Sequence, residues 1–221
     1  MEKQTPIDRT AAWMGLAAAI GFATFNVLVL VLHLLRSEVS PTERTMSEYA
    51  LGDYGGLMVA GFFILAGSLL ALTVALYRTL SPALRSRRAF ALMGLMVAGF
   101  ALAAFFPTDL KDAPVSTTGI IHDATSYGGI FCGLAGMLIL ESRMRQDPAW
   151  RAVYRRSTRF TLVIIACWTV GFLLIFVDMK GLGQRLFALV GLLWLVYIAL
   201  CARTVALRGP RTPPNAWESP Q

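Results

Sequence analysis

Two histidines, a tyrosine, an arginine and several carboxylates stand beside apolar runs long enough to cross a bilayer. His122 and Asp123 lie just inside one such run, and Asp109 stands in the polar loop before it. An imidazole about five residues into a helix sits roughly 8 Å from its end. An unpaired polar group at that depth is costly, so it marks either a partner or a function. A carboxylate against the imidazole fixes its tautomer and raises its basicity, which suits a general base. Asp109 is the expected partner, because Asp123, one residue on, points about 100° away around the helix. Three readings stand side by side. His122 and Asp109 form a satisfied clasp between two helices, or His122, Asp109 and Asp123 do acid–base or proton-relay chemistry, or the group holds a metal. HExxH spacing and a third histidine are absent, so no metal is assigned, and no cofactor either.

Arg185, His33, Glu48, Tyr49, Asp53 and Ser126 are the expected ligand-binding groups. Arg185 is expected at the start of a helix, where the macrodipole disfavours a cation by some tenths of a kcal/mol. It therefore calls for an anion: Asp109, Asp123, Asp178 or the headgroup of a ligand. Every one of these polar groups belongs to the same half of the expected bundle. Trp168 and Trp194, mid-span, read as core packing or, alternatively, as walls of a cavity.

Six apolar runs must position these groups, at about 11–35, 55–77, 89–106, 117–140, 160–177 and 186–207. With 56% hydrophobic residues, 15% charged and a mean hydropathy of +0.61 over 221 residues, the chain reads as a membrane protein. The expected fold is all-α, a six-transmembrane-helix bundle over 11–207. A lead (1–10) and a Pro-rich disordered tail (208–221) complete it, both cytoplasmic. The first run is too long for a signal-peptide core and is expected to be retained. In the fourth, Gly119, His122, Ser126, Gly129, Gly133 and Gly136 recur at steps of three and four, a small-residue stripe suited to close helix packing. Two capping-box patterns, at Ser40–Glu43 and Thr45–Glu48, predict a short helix on the outer surface. Asp147-Pro148 followed by Trp150, Val153 and Tyr154 predicts an interfacial helix before the fifth span.

Charge placement sets the orientation. Of the 20 basic residues, 15 fall in the lead, the second and fourth loops and the tail, which makes both termini cytoplasmic. The net charge of +7 is thereby a topology signal rather than a sign of nucleic-acid binding. Cys132, Cys167 and Cys201 are single, sit in apolar runs and read as packing residues.

HLLRSEVSPTERTMSEYALGDYG after the first span, FFPTD closing the third, GIIHD opening the fourth and GLGQR before the sixth resemble a prokaryotic integral membrane family catalogued as domain of unknown function 998. The resemblance covers about residues 10–205 and implies six transmembrane helices in one domain. It extends distantly to the Frag1, DRAM and Sfk1 group of six-span proteins.

The expected function is an outward-facing His/Asp/Arg pocket in a multi-pass protein of the bacterial inner membrane. It binds a lipid or isoprenoid-like amphiphile, with or without chemistry on it, and its partners are membrane lipids. The alternatives are a small-solute or proton-coupled transporter, which needs polar groups through the bundle, and a non-catalytic assembly subunit, which the glycine stripe would serve.

Overall fold

The computed structural model describes residues 7–208; most of the expected lead and tail lies outside them. Six α-helices appear among the described residues: α1 (Arg9–Leu35), α2 (Gly55–Thr79), α3 (Arg87–Ala103), α4 (Thr117–Met144), α5 (Arg151–Leu174) and α6 (Lys180–Arg208). All but α3, which has 17 residues, are long and apolar enough to cross a membrane.

Hydrogen bonds between loops show that the helices alternate in direction. At one end the α1–α2, α3–α4 and α5–α6 loops meet. There Lys111 pairs with Glu43 and Asp178, and Leu182 N donates to Thr42 O at 2.9 Å. At the other end Arg78 Nε reaches Asp8 Oδ2 at 3.0 Å, Asp8 N donates to Ala206 O, and Ser81 N donates to Asp147 Oδ2 at 2.9 Å. Asp8 also caps α1 through the Ala11 N–H. Burial pulls the Asp8 carboxyl upward, but the Ala11 bond and the Arg78 guanidinium together outweigh it and hold it below its ordinary range.

Around the bundle, α1 packs on α2 and α6, α2 on α3, α3 on α4, and α5 on α6. The ring closes loosely, because the α4 and α5 backbones approach each other at few places and meet mainly through side chains. The α3–α4 seam is one of the two most extensive, and the glycine stripe makes it. A Cβ at Gly129 would stand 3.4 Å from Met96 O, and one at Gly136 3.0 Å from Ala89 O. The stripe is thus spent on a neighbour within the chain. Gly99 answers it from α3, where a Cβ would lie 2.4 Å from the Thr125 carbonyl oxygen. At Gly133 the obstacle is the mobile end of Met96 instead. Gly99→Ala is therefore expected to cost about 1–3 kcal/mol by overpacking, and Gly133→Ala clearly less. Thermal denaturation in detergent checks the order; equal melting temperatures would contradict it.

Three expectations change. The segment after Asp147-Pro148 is not a separate interfacial helix. It is the first turns of α5, with Trp150 fully buried beneath Asp147 rather than lying at an interface. The Thr45–Glu48 box does cap a short 3₁₀ helix, Met46–Ala50, but Met46 to Tyr49 are buried in the bundle mouth instead of resting on its surface. Finally, α6 begins at Lys180 and absorbs the GLGQ stretch that reads as a turn. Gly181 and Gly183 are there for close approach. Their Cβ positions would collide with Arg44 O at 2.3 Å and Gly171 Cα at 2.5 Å, so they let the α1–α2 loop and α5 lie directly on α6. Arg185 consequently sits more than a turn inside α6, not at its start.

Candidate functional site: an apolar cavity under a polar lid

The expected site residues divide among three places. The first is a lid clasp. His33 donates from Nδ1 to Val29 O, its i−4 carbonyl, at 2.6 Å. Arg185 Nε donates to His33 Nε2 at 2.8 Å. A guanidinium can only donate, so His33 carries its proton on Nδ1 and is neutral in this arrangement. Arg185 also donates to Arg44 O (2.7 Å), Gly181 O (3.1 Å) and Tyr49 Oη (3.2 Å). The anion that sequence calls for is absent: backbone carbonyls, a hydroxyl and an imidazole satisfy this arginine. Beside it, Glu48 is 2% exposed and accepts from Thr45 N at 2.9 Å, Arg44 Nη1 at 3.1 Å and Lys111 N at 3.3 Å. Arg185, His33, Glu48 and Tyr49 thus fasten the α1–α2 loop over the end of the bundle.

The second place is the loop surface. Asp53 is exposed, and only its carbonyl takes part, accepting from Arg36 Nη1 at 2.6 Å. Asp109 does not meet His122. Its carboxylate takes the Ser116 hydroxyl at 2.6 Å and the Ser116 N–H at 2.8 Å, closing the loop, and it rests on Gly119, where a Cβ would be 2.0 Å away. The Ser116 hydroxyl, then its N–H, hold the Asp109 carboxyl below its ordinary range. A lowered folded-state pKa gives stability that is present above the unfolded value and lost as pH falls below it. Asp109→Asn is therefore expected to melt below wild type at neutral pH, with the gap closing as pH drops through 3.8 and lower. A gap independent of pH, measured by thermal denaturation, would contradict this.

The third place is a cavity of about 150 Å³ bounded by all six helices and by Met46 and Ser47 of the lid. Phe62, Leu65, Met96, Met137, Ile164 and Leu192 make its walls apolar, and Trp168 and Trp194 are wall residues too. Its polar groups gather at the lid end: Ser47, His122, Asp123, Ser126, Tyr127 and Gln184. An adjoining cleft of about 380 Å³ shares Tyr127, Trp168, Gln184 and Phe187 with the cavity and has Lys180 at its edge. Trp168 stands between the two, edge-on to Tyr127, Phe131 and Phe187 with ring centroids 4.8–5.9 Å apart. Aromatic rings of α4, α5 and α6 thus line the cleft beside the cavity and stand between the two.

His122 is the chemically distinctive group here, with a partner other than the expected one. Pro107 stops α3 from continuing, so the last carbonyls of that segment lack helical donors. His122, 2% exposed, supplies one: Nδ1 lies 2.8 Å from Phe106 O and 3.1 Å from Ala103 O. Two carbonyls require a proton on Nδ1, while Nε2 makes no hydrogen bond among the described residues. Ser126, one turn further along α4, has a buried hydroxyl without a partner. Asp123 is exposed on α4 and borders the mouth of the cavity.

Sequence reasoning missed several residues. Ser47 and Gln184 lie within the Thr45–Glu48 and GLGQR segments, but nothing there marks either as a binding group; Gln184 Oε1 accepts from Met46 N at 2.6 Å and pins the lid at the cavity mouth. Gly191 faces the cavity with open space where a Cβ would be, indistinguishable in sequence from a packing glycine. Glu141, at the far end of α4, was overlooked because it reads as the first residue of a polar loop.

The architecture is that of a multi-pass helical membrane protein with an internal, mostly apolar cavity. A family model described as a protein of unknown function (DUF998) matches residues 16–202, and the chain belongs to that family. No curated protein and no solved structure matches it.

Proposed function

We propose that this protein binds a lipid or isoprenoid-like amphiphile, whose chain enters between α4 and α5 and fills the cavity while its polar head stays at Gln184, Asp123 and Lys180. The observation that carries this reading is the cavity itself: apolar walls, polar groups only at the lid end, and an aromatic-lined cleft beside it. Ligand pockets share that make-up, a mostly apolar lining with a few placed polar groups. His122 Nε2 and Tyr127 Oη, neither of them hydrogen-bonded among the described residues, meet the first atoms below the head. If the protein acts on its ligand, His122 is the base. Asp109 has no part in that chemistry, since two backbone carbonyls already hold the tautomer.

In this reading α3 also spans, giving six crossings of a bacterial inner membrane. The lid faces outward and both termini face the cytoplasm, as the arginines of the opposite end favour. Reporter fusions after Ser47 and after Asp112 are expected to read extracytoplasmic; a cytoplasmic signal at either contradicts the orientation.

The binding claim is tested with a variant whose only tryptophan is Trp194, which is 4% exposed and lines the cavity. In vesicles containing a lipid with a brominated tail, saturable quenching is expected, because only an occupant of the cavity reaches that indole. Quenching no greater than for a soluble buried tryptophan would refute the proposal.

A further inference from the structure

Glu141 lies in the last turn of α4, at the end of the bundle opposite the lid, and is 2% exposed. Its Oε1 accepts the hydroxyls of Ser157 and, at 2.7 Å, Thr161, both on α5. Ser157 Oγ in turn accepts from Trp194 Nε1 on α6 at 3.2 Å, and Trp194 lines the cavity. The other oxygen, Oε2, is buried without a partner, and so is the hydroxyl of Thr158, which lies beside the carboxyl. No ion pair to Glu141 occurs among the described residues.

A carboxylate taken from water with no counter-charge is strongly disfavoured, and the negative end of the α4 macrodipole adds to the cost. The arginines of the surrounding elements leave that charge unanswered. Arg87 and Arg88 of α3, Arg143 and Arg145 of α4, and Arg151, Arg155, Arg156 and Arg159 of α5 are all exposed. On α6, Tyr197 and Cys201 face Arg156, and Tyr154 of α5 is half-buried. A metal ion fits poorly: Oε1 is occupied by two hydroxyl donors, which leaves two free oxygens where hard cations take six or more.

We propose that Glu141 is a proton-binding site, with the proton on Oε2 donated to Thr158 Oγ1. One proton, taken from water and returned to it, then gives both orphan oxygens a hydrogen bond and removes the buried charge. Release of the proton leaves a carboxylate whose neighbours, the Ser157, Thr161 and Thr158 hydroxyls, supply no counter-charge, so the charge calls for water. Water reaches it by parting α4 from α5, whose backbones approach each other at few places and which the Ser157 and Thr161 bonds to Glu141 hold together here. Proton release and opening of that seam are therefore linked. The site stands whether or not an amphiphile fills the cavity.

The test is infrared spectroscopy of the full chain in lipid nanodiscs as a function of pH. The wild type is expected to show a protonated-carboxyl C=O band at neutral pH that disappears on alkalinisation and is missing in Glu141→Gln. Glu141→Gln, which mimics the neutral acid, is expected to keep the wild-type melting temperature at neutral pH. In Ser157→Ala the band is expected to persist and shift, since one donor to Oε1 is gone. Identical neutral-pH carboxyl bands in wild type and Glu141→Gln would overturn the proposal. So would a band that appears only when sodium is withdrawn, or one that Ser157→Ala leaves unmoved.

Discussion

Gly191→Phe is expected to abolish amphiphile binding while leaving the protein as stable as wild type. A Cβ at Gly191 meets no atom within 4 Å, so the new ring grows into the cavity without touching backbone. Replacing a mid-helix glycine also removes a propensity penalty of a few tenths of a kcal/mol or more. A phenyl ring takes up much of a cavity of about 150 Å³, and the chain of a ligand then has no room. Affinity is expected to fall at least tenfold, about 1.4 kcal/mol or more, as read by quenching of Trp194. Gly67→Phe is the control. Its Cβ also meets open space, but it is exposed on the outside of α2 and borders neither the cavity nor the cleft, so it should bind as wild type. Equal binding by both variants would mean that the ligand does not use the cavity.

Glu48→Ala is expected to detach the lid. The carboxylate collects the Thr45 and Lys111 N–H groups and the Arg44 guanidinium; Asp112, 3.9 Å from Arg44 Nη2, keeps a charge partner for the guanidinium alone. Breaking a buried charge pair and stranding two backbone donors costs about 2–4 kcal/mol, toward the lower end because Arg44 keeps contact with water. Hydrogen exchange should show residues 40–50 losing protection first, with the helices following only near global unfolding. Glu48→Gln keeps the shape but not the charge and should fall between. Unchanged protection of the lid in Glu48→Ala would show that Arg185 and Gln184 hold it alone.

Local chemistry explains which features were legible in the sequence. Apolar runs, the Pro107 stop and the Thr45–Glu48 capping box act over a few residues, and helices α1 to α4 lie close to where those signals place them. The α4 stripe was legible for the same reason, since spacing alone puts Gly129 and Gly133 on one face. Partner choice was not legible. His122 satisfies carbonyls of α3 rather than Asp109, because Pro107 leaves backbone acceptors that residue types do not advertise. Arg185 has four partners, three of them backbone carbonyl or imidazole, which a search for anions cannot find. Gly181 and Gly183 look like a turn, yet they are smooth helix surface for the lid and α5; only the approach of distant backbone distinguishes the two. Glu141 was hidden by its flanks, where Ser142, Arg143 and Arg145 make a buried acid look like the start of a loop.

Photo-crosslinking with a phospholipid carrying a diazirine near the end of its chain tests the central claim most directly. After irradiation in nanodiscs, labelled residues are mapped by mass spectrometry of the digested protein. Labels are expected on cavity residues, with Met96, Met137 and Leu192 the foremost, and on Trp168 between cavity and cleft; Gly191→Phe should remove the cavity labels and spare the rest. Labels confined to outward-facing residues such as Leu30, Leu34 and Leu138, in wild type and variant alike, would contradict the account.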